Sequence, residues 1–234
     1  MPAREVLVHA GRPRAGRRFE PVHEAGLLTD ATAAAQSLPG AHRGLRVILE
    51  SAGPFGVPDV LAVVGPLNLL EDRLALDVPP LLNQVDAGVV AAAAPKAPRS
   101  VETLARRVGW PVETVSRRMP GLIRSEALMR SGPRSFVRPA ALRPVGRLYA
   151  LETKVKDWRK ALRQARAYSA WCDGYVIVMP ALGPGSLAGV VEGVSGDGGG
   201  LMVAGKWVRR PRLATRSAAQ RLWGSEHVIA AFSD

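Results

Sequence analysis

Strand-like segments at the two ends of this chain are held apart by about sixty residues that read as helices, and no other feature constrains the fold as strongly. Residues 46–50 and 59–64 are short runs rich in branched apolar side chains around a turn at 51–56, and they predict two strands. After Pro79-Pro80 the pattern becomes helical. Residues 81–94 predict one helix. Ser100 caps a second over Val101–Val108 that Gly109 closes, and Pro111 opens a third near 112–119 that Pro120-Gly121 interrupts. Residues 128–130 and 135–137 flank Gly132-Pro133 as a short hairpin. Strand character then returns at 147–155 and 175–179, with a helix predicted over 157–170. An α/β fold split by an inserted domain is the simplest account. It gives three parts: 1–78, an arm and the first part of the core; 79–140, the insert; and 141–234, the second part of the core with a basic C-terminal region.

The flanking segments are less sharply patterned. Residues 1–26 are basic, with Arg12, Arg14, Arg17 and Arg18 close together, and predict a flexible arm or a loosely docked first segment. Asp30 is placed to cap a short helix over 31–38 that Pro39-Gly40 ends. Residues 190–194 and 201–203 flank a Gly-rich stretch and predict a hairpin, and 215–232 predicts one or two helices.

The net charge of +12 over 234 residues calls for a polyanionic partner, nucleic acid or an anionic membrane face. No apolar run is long enough to span a bilayer, and the start Met1-Pro2-Ala3-Arg4-Glu5 lacks a signal-peptide layout, so nucleic acid is the better partner and no membrane is expected. Cys172 is the single cysteine, which removes an intrachain disulfide or a cysteine-based zinc site and favours a cytoplasmic, nucleoid-associated location. Arginine supplies 27 of the 32 basic residues, an excess that a GC-rich genome alone would also produce.

Two acidic residues interrupt strands that otherwise read as buried: Asp59 in 56–64 and Glu152 in 148–155. Glu152 and Lys154 are two apart and share a face of their strand. A carboxylate in a buried strand needs a partner, because desolvating a lone charge costs several kcal/mol. A divalent cation held by Asp59 and Glu152 would supply it, and oxygen ligands favour a hard ion such as Mg²⁺. The competing reading is a same-face ion pair of Glu152 and Lys154 at a sheet edge. Lys160, Gln164 and Tyr168 follow at i, i+4 and i+8, a polar stripe along one helix face where a bland amphipathic helix would carry apolar residues.

These residues resemble the PD-(D/E)XK nuclease superfamily. Pro58-Asp59 matches its first half-motif, Glu152-Thr153-Lys154 its second, and Gln164 with Tyr168 looks like the helix motif of the RecB-like branch. The resemblance covers 46–64 and 147–179. It implies a restriction-endonuclease-like mixed sheet flanked by helices, with Asp59 and Glu152 binding Mg²⁺ (Mn²⁺ as the alternative) and Lys154 positioning or activating the attacking water. It also implies that Gln164 belongs to the catalytic set and that Gln164 and Tyr168 position the nucleic-acid backbone. The half-motifs stand about ninety residues apart, where the superfamily keeps them close, and an inserted domain accounts for the gap. For the superfamily's additional acidic residue the candidates are Glu24 and Glu50.

The insert has a helix–turn–helix rhythm. Leu104, Ala105, Val108, Val112 and Val115 are spaced to pack two short helices across a Gly turn. This is similar to a winged helix-turn-helix DNA-binding domain, with Thr114, Arg117 and Arg118 facing outward and Arg134 on the wing turn. The alternative is a helical domain used for dimerisation or packing. Lys206, Arg209, Arg210, Arg212 and Arg216 around Trp207 form a last basic cluster, either a solvated tail or a second backbone-contacting surface. Together these features predict a Mg²⁺-dependent DNA endonuclease acting on double-stranded DNA, with the oligomeric state left open, a homodimer included. The rival expectation is a non-catalytic DNA-binding regulator on a nuclease-like scaffold.

Overall fold

The computed structural model describes residues 7–10 and 21–233, with side chains from residue 26 onward. The predicted arm through Arg12, Arg14, Arg17 and Arg18 lies outside the described residues. In chain order the elements begin with β1 (Leu7–Ala10), α1 (Pro21–Gln36), β2 (Leu45–Leu49), β3 (Val60–Val64), α2 (Asn68–Leu74) and α3 (Gln84–Ala92). They continue with α4 (Val101–Val108), α5 (Val112–Arg124), β4 (Met129–Arg130), β5 (Phe136–Val137), β6 (Arg147–Thr153) and α6 (Trp158–Tyr168). The last are β7 (Gly174–Met179), α7 (Pro184–Asp197), β8 (Gly200–Val203), β9 (Lys206–Arg209) and α8 (Ala218–Phe232). The chain divides into two compact units, Met1–Leu67 with Gly146–Thr215 and Asn68–Val145 with Arg216–Asp234.

The first unit is α/β. Among the described residues its sheet has seven strands in the order β1-β2-β3-β6-β7-β8-β9. It is mixed: β2–β3, β3–β6 and β8–β9 are antiparallel, whereas β1–β2, β6–β7 and β7–β8 are parallel. The central strands β3 and β7 are buried along their whole length, as expected where helices cover both faces. On one face Ala31, Ala34, Ala35 of α1 and Leu38 pack on Val47, Val60, Ala62, Val64, Tyr149, Leu151, Val176 and Val178. Strand alternation turns Asp59, Leu61, Val63, Ala150 and Glu152 to the opposite face, which α6 covers.

Several elements differ from the sequence expectation, each for a physical reason. Helix α1 starts at Pro21 and runs through Asp30, which therefore caps nothing. Residues 190–194 lie in the helix α7, not in a strand. Pro184 opens this helix and Gly198 closes it at φ 77°, while Leu187, Val190 and Val194 recur at helical spacing. Its glycines make a contact face: a Cβ on Gly189 would stand 2.9 Å from the Trp158 ring, and one on Gly193 2.6 Å from a Leu162 methyl. The hairpin forms later, between β8 and β9, where Ala204 (φ 47°) and Gly205 (φ 69°) make the two-residue turn. Of the two readings of the basic cluster, the solvated tail does not hold at Lys206, which lies on an edge strand.

The second unit is helical with one small hairpin. Asn83 caps α3, its Oδ1 accepting from the amides of Val85 at 2.9 Å and Asp86 at 3.3 Å, so the helix begins three residues later than Leu81. Ser100 caps α4, and Gly109 ends it at φ 74°. Helix α5 continues through Pro120 to Arg124, because buried Met119 and Leu122 hold it on both sides of the proline, which is itself exposed. β4 and β5 pair antiparallel, and Arg99 exchanges two backbone hydrogen bonds with Phe136, at 3.0 and 2.9 Å, to add a third short extended segment. The C-terminal helix α8 belongs to this unit, although residues 141–234 were expected to extend the sheet domain. It packs on α3, and its Glu226 receives Arg73 of α2 through Nε at 2.9 Å and an Nη at 2.7 Å, with the Leu81 amide at 2.9 Å.

Candidate active site

The register of β3 and β6 pairs Val60 with Leu151, and one further step sets Asp59 opposite Glu152. Residues so placed stand about 5 Å apart at Cβ and share a face. Asp59 is nearly buried, and its Oδ2 accepts from the Thr153 amide at 2.7 Å and from the Thr153 hydroxyl at 2.8 Å. Glu152 is fully buried, and its Oε2 accepts from the Tyr168 hydroxyl at 3.0 Å. The same hydroxyl lies 3.1 Å from the Val57 carbonyl, so its one proton is shared between two acceptors. Each carboxylate is therefore aimed by neutral donors, the kind of support that orients metal-binding carboxylates. Lys154 is half-buried directly beyond β6, its amide donating to the Val178 carbonyl at 3.0 Å.

The helix stripe descends into this site. Lys160 is exposed, Gln164 half-buried and Tyr168 buried along one face of α6. Tyr168 was expected on a phosphate backbone, but its burial and its bond to Glu152 make it a holder of the carboxylate. Glu50 sits at the end of β2 with its amide donating to the Asp59 carbonyl at 3.1 Å, and at φ 50° it occupies a backbone region that costs a non-glycine residue strain. Glu24 lies in α1 at a position whose side chain is outside the described residues. Among the described residues no three His, Cys, Asp or Glu side chains converge as a metal-holding group. Sequence reasoning missed Thr153 as the grip on Asp59. Its place between Glu152 and Lys154 was visible, but its reach to the neighbouring strand was not.

In the second unit Arg117 and Arg134 are exposed, the latter on the turn between β4 and β5, and Thr114 is half-buried. Arg118 differs from them. Its guanidinium holds both oxygens of Asp86 on α3, with Nε 2.6 Å from Oδ1, so it braces two helices. The hydrogen bond to Asp86 raises its pKa further above the usual arginine value. In the first unit β9 exposes Lys206, and Arg210 directly follows it. Arg210 lies 5.1 Å over the Trp207 ring and donates to the Ser37 carbonyl at 2.6 Å. Arg209 between them is half-buried.

No known protein family, curated protein or solved structure matches the chain. Among the described residues no helix is long and apolar enough to cross a membrane.

Proposed function

We propose that the protein is a Mg²⁺-dependent endonuclease acting on double-stranded DNA. The observation that carries this reading is the pair Asp59 and Glu152, in register on adjacent strands, buried, and each aimed by neutral hydrogen-bond donors. Two carboxylates fit a hard cation that completes its shell with water and substrate phosphate, the usual habit of Mg²⁺, with Mn²⁺ as a substitute. Such an ion supplies Lewis-acid neutralisation of charge on the phosphoryl oxygens. Thr153 keeps Asp59 in place and Tyr168 keeps Glu152 in place. Lys154, two residues from Glu152, positions the water whose oxygen attacks phosphorus as the phosphodiester P–O bond breaks.

The helical unit supplies duplex affinity in this reading. Helices α4 and α5 across the Gly109 turn, with the β4–β5 hairpin behind them, support a winged-helix assignment, and Arg117 and Arg134 are its exposed cations. Lys206 and Arg210 on and after β9 add a second backbone-contacting surface.

The test is cleavage of supercoiled and linear duplex DNA with Mg²⁺, Mn²⁺ or EDTA. Asp59→Ala, Glu152→Ala and Lys154→Ala should each abolish cleavage and keep duplex affinity within a few-fold, since one charge among 32 basic residues shifts the field little. Wild-type rates in any of the three remove the catalytic assignment. Intact binding without cleavage under every divalent ion assigns the regulator instead.

A further inference from the structure

Within the helical unit a groove of about 460 Å³ is lined by α5 and by the segment that leads into α3. Its volume falls in the range of small-molecule sites. Pro79, Pro80, Leu81 and Leu82 make one wall, with Leu82 48% exposed. Helix α8 fixes this wall: the Leu81 amide donates to Glu226 at 2.9 Å, and Trp223 Nε1 donates to the Leu82 carbonyl at 2.8 Å. The other wall is α5 with its C-cap Ser125. Arg117, Gly121 and Ser125 recur there at i, i+4 and i+8 and so lie in one line. Arg118 and Asp86, joined as an ion pair, belong to the same lining.

Gly121 is the first sign of an occupant. Glycine inside a helix is less favourable than alanine, because it gives up more backbone freedom. At Gly189 and Gly193 packing explains the choice, since a Cβ would strike a neighbouring side chain. A Cβ on Gly121 would meet nothing within 4 Å, so the missing side chain serves only to keep the groove open. Charge is the second sign. Two guanidinium groups and one carboxylate line the groove, and Arg118 holds that carboxylate, so Arg117 gives the lining one net positive charge. Asn83 already caps α3, which leaves the guanidinium as the partner for an anion. Fixed apolar walls with a single excess cation select a small organic anion of one negative charge and an apolar body. Resting on the duplex-binding reading of this unit, we propose that the groove binds a small apolar monocarboxylate. Its carboxylate pairs with Arg117 and withdraws that cation from DNA phosphate.

The experiment titrates the full chain by calorimetry with 2-naphthoate and with the neutral 2-naphthalenemethanol. The acid should fill one site with a Kd of about 1 mM or below. The alcohol should bind about tenfold more weakly, the loss expected for one charge-assisted contact. Arg117→Ala should remove the difference between acid and alcohol. Gly121→Leu puts a side chain into the groove at a position with room for its Cβ. It should weaken the acid about tenfold or more while the urea midpoint stays or rises. Saturating 2-naphthoate should lower wild-type duplex affinity and make its salt dependence shallower by about one unit, with no further change in Arg117→Ala. No binding of the acid, equal affinity for acid and alcohol, or full affinity in Gly121→Leu overturns the site. Duplex affinity unmoved by bound 2-naphthoate overturns the competition. A chain that binds 2-naphthoate as expected and has no duplex affinity loses the DNA reading and keeps the ligand site; duplex binding without 2-naphthoate binding does the reverse.

Discussion

Glu152 and Glu226 are both fully buried, yet their neighbours differ in kind. Glu226 in the helical unit accepts two bonds from the buried Arg73 guanidinium and one from the Leu81 amide, so its charge is cancelled and its oxygens are satisfied by the protein. Glu152 in the sheet unit accepts from the Tyr168 hydroxyl, a neutral donor that fixes the direction of the carboxylate, and Asp59 stands opposite it. The first arrangement joins α2 to α8 and holds a fold together. The second sets two carboxylates opposite one another on adjacent strands of one sheet. Burial of a carboxylate is common to both, so burial alone does not mark a functional site.

The largest effect should come from breaking the cancelled pair. Arg73→Ala leaves Glu226 buried and uncompensated and should cost about 3–5 kcal/mol, read as a lower urea midpoint. Glu152→Gln should cost less than Arg73→Ala, since glutamine keeps the size of the side chain and an acceptor for Tyr168. Similar losses in the two variants would erase the distinction between them.

A smaller contrast separates two adjacent arginines of α5. Arg118→Ala removes the brace to Asp86 and should cost about 1 kcal/mol or less, because the arginine is 41% exposed and the pair is partly screened. Arg117→Ala should leave stability within about 0.5 kcal/mol and make the salt dependence of duplex binding shallower by about one unit. If Arg118→Ala shallows the salt slope and spares stability, the brace is a phosphate contact instead.

The smallest effect near neutrality concerns phenols. Burial raises the pKa of Tyr149 and of Tyr175, and the bond from the Tyr175 hydroxyl to Asp197 raises the latter further. The folded state therefore holds these protons more tightly than the unfolded chain. Their contribution is complete below the unfolded value, about 10, and is lost as pH rises above it. Unfolding midpoints should be flat in this respect through neutral pH and fall beyond about pH 10, and Tyr175→Phe should flatten part of that fall. An unchanged alkaline slope in Tyr175→Phe would show that other groups govern it.

Much of the architecture was legible because its signals are local. Ser100 and Gly109 bracket α4 where the cap chemistry said they would, and Asp59 and Glu152 stood out as charges in strands that otherwise read as buried. Elsewhere a local signal pointed the wrong way. Residues 190–194 looked like a strand, but they lie in α7, and its Gly189 and Gly193 are what lets that helix approach Trp158 and Leu162. Thr114, Arg117 and Arg118 looked alike as exposed helix residues, and only the position of Asp86 on α3 made one of them a brace.

The sequence by itself determined the strand and helix periodicities, the caps, the split of the sheet elements around a helical stretch, and the presence of two carboxylates and a lysine at strand ends. These depend on neighbours within a few residues, whose spacing is written in the chain. Tertiary structure alone decided that α8 joins the helical unit, that Thr153 grips Asp59 across 94 positions of sequence, and that Tyr168 turns inward to Glu152. Those choices follow from which surfaces bury apolar area together and which donors must satisfy buried charge, and both are set by packing between distant segments rather than by local pattern.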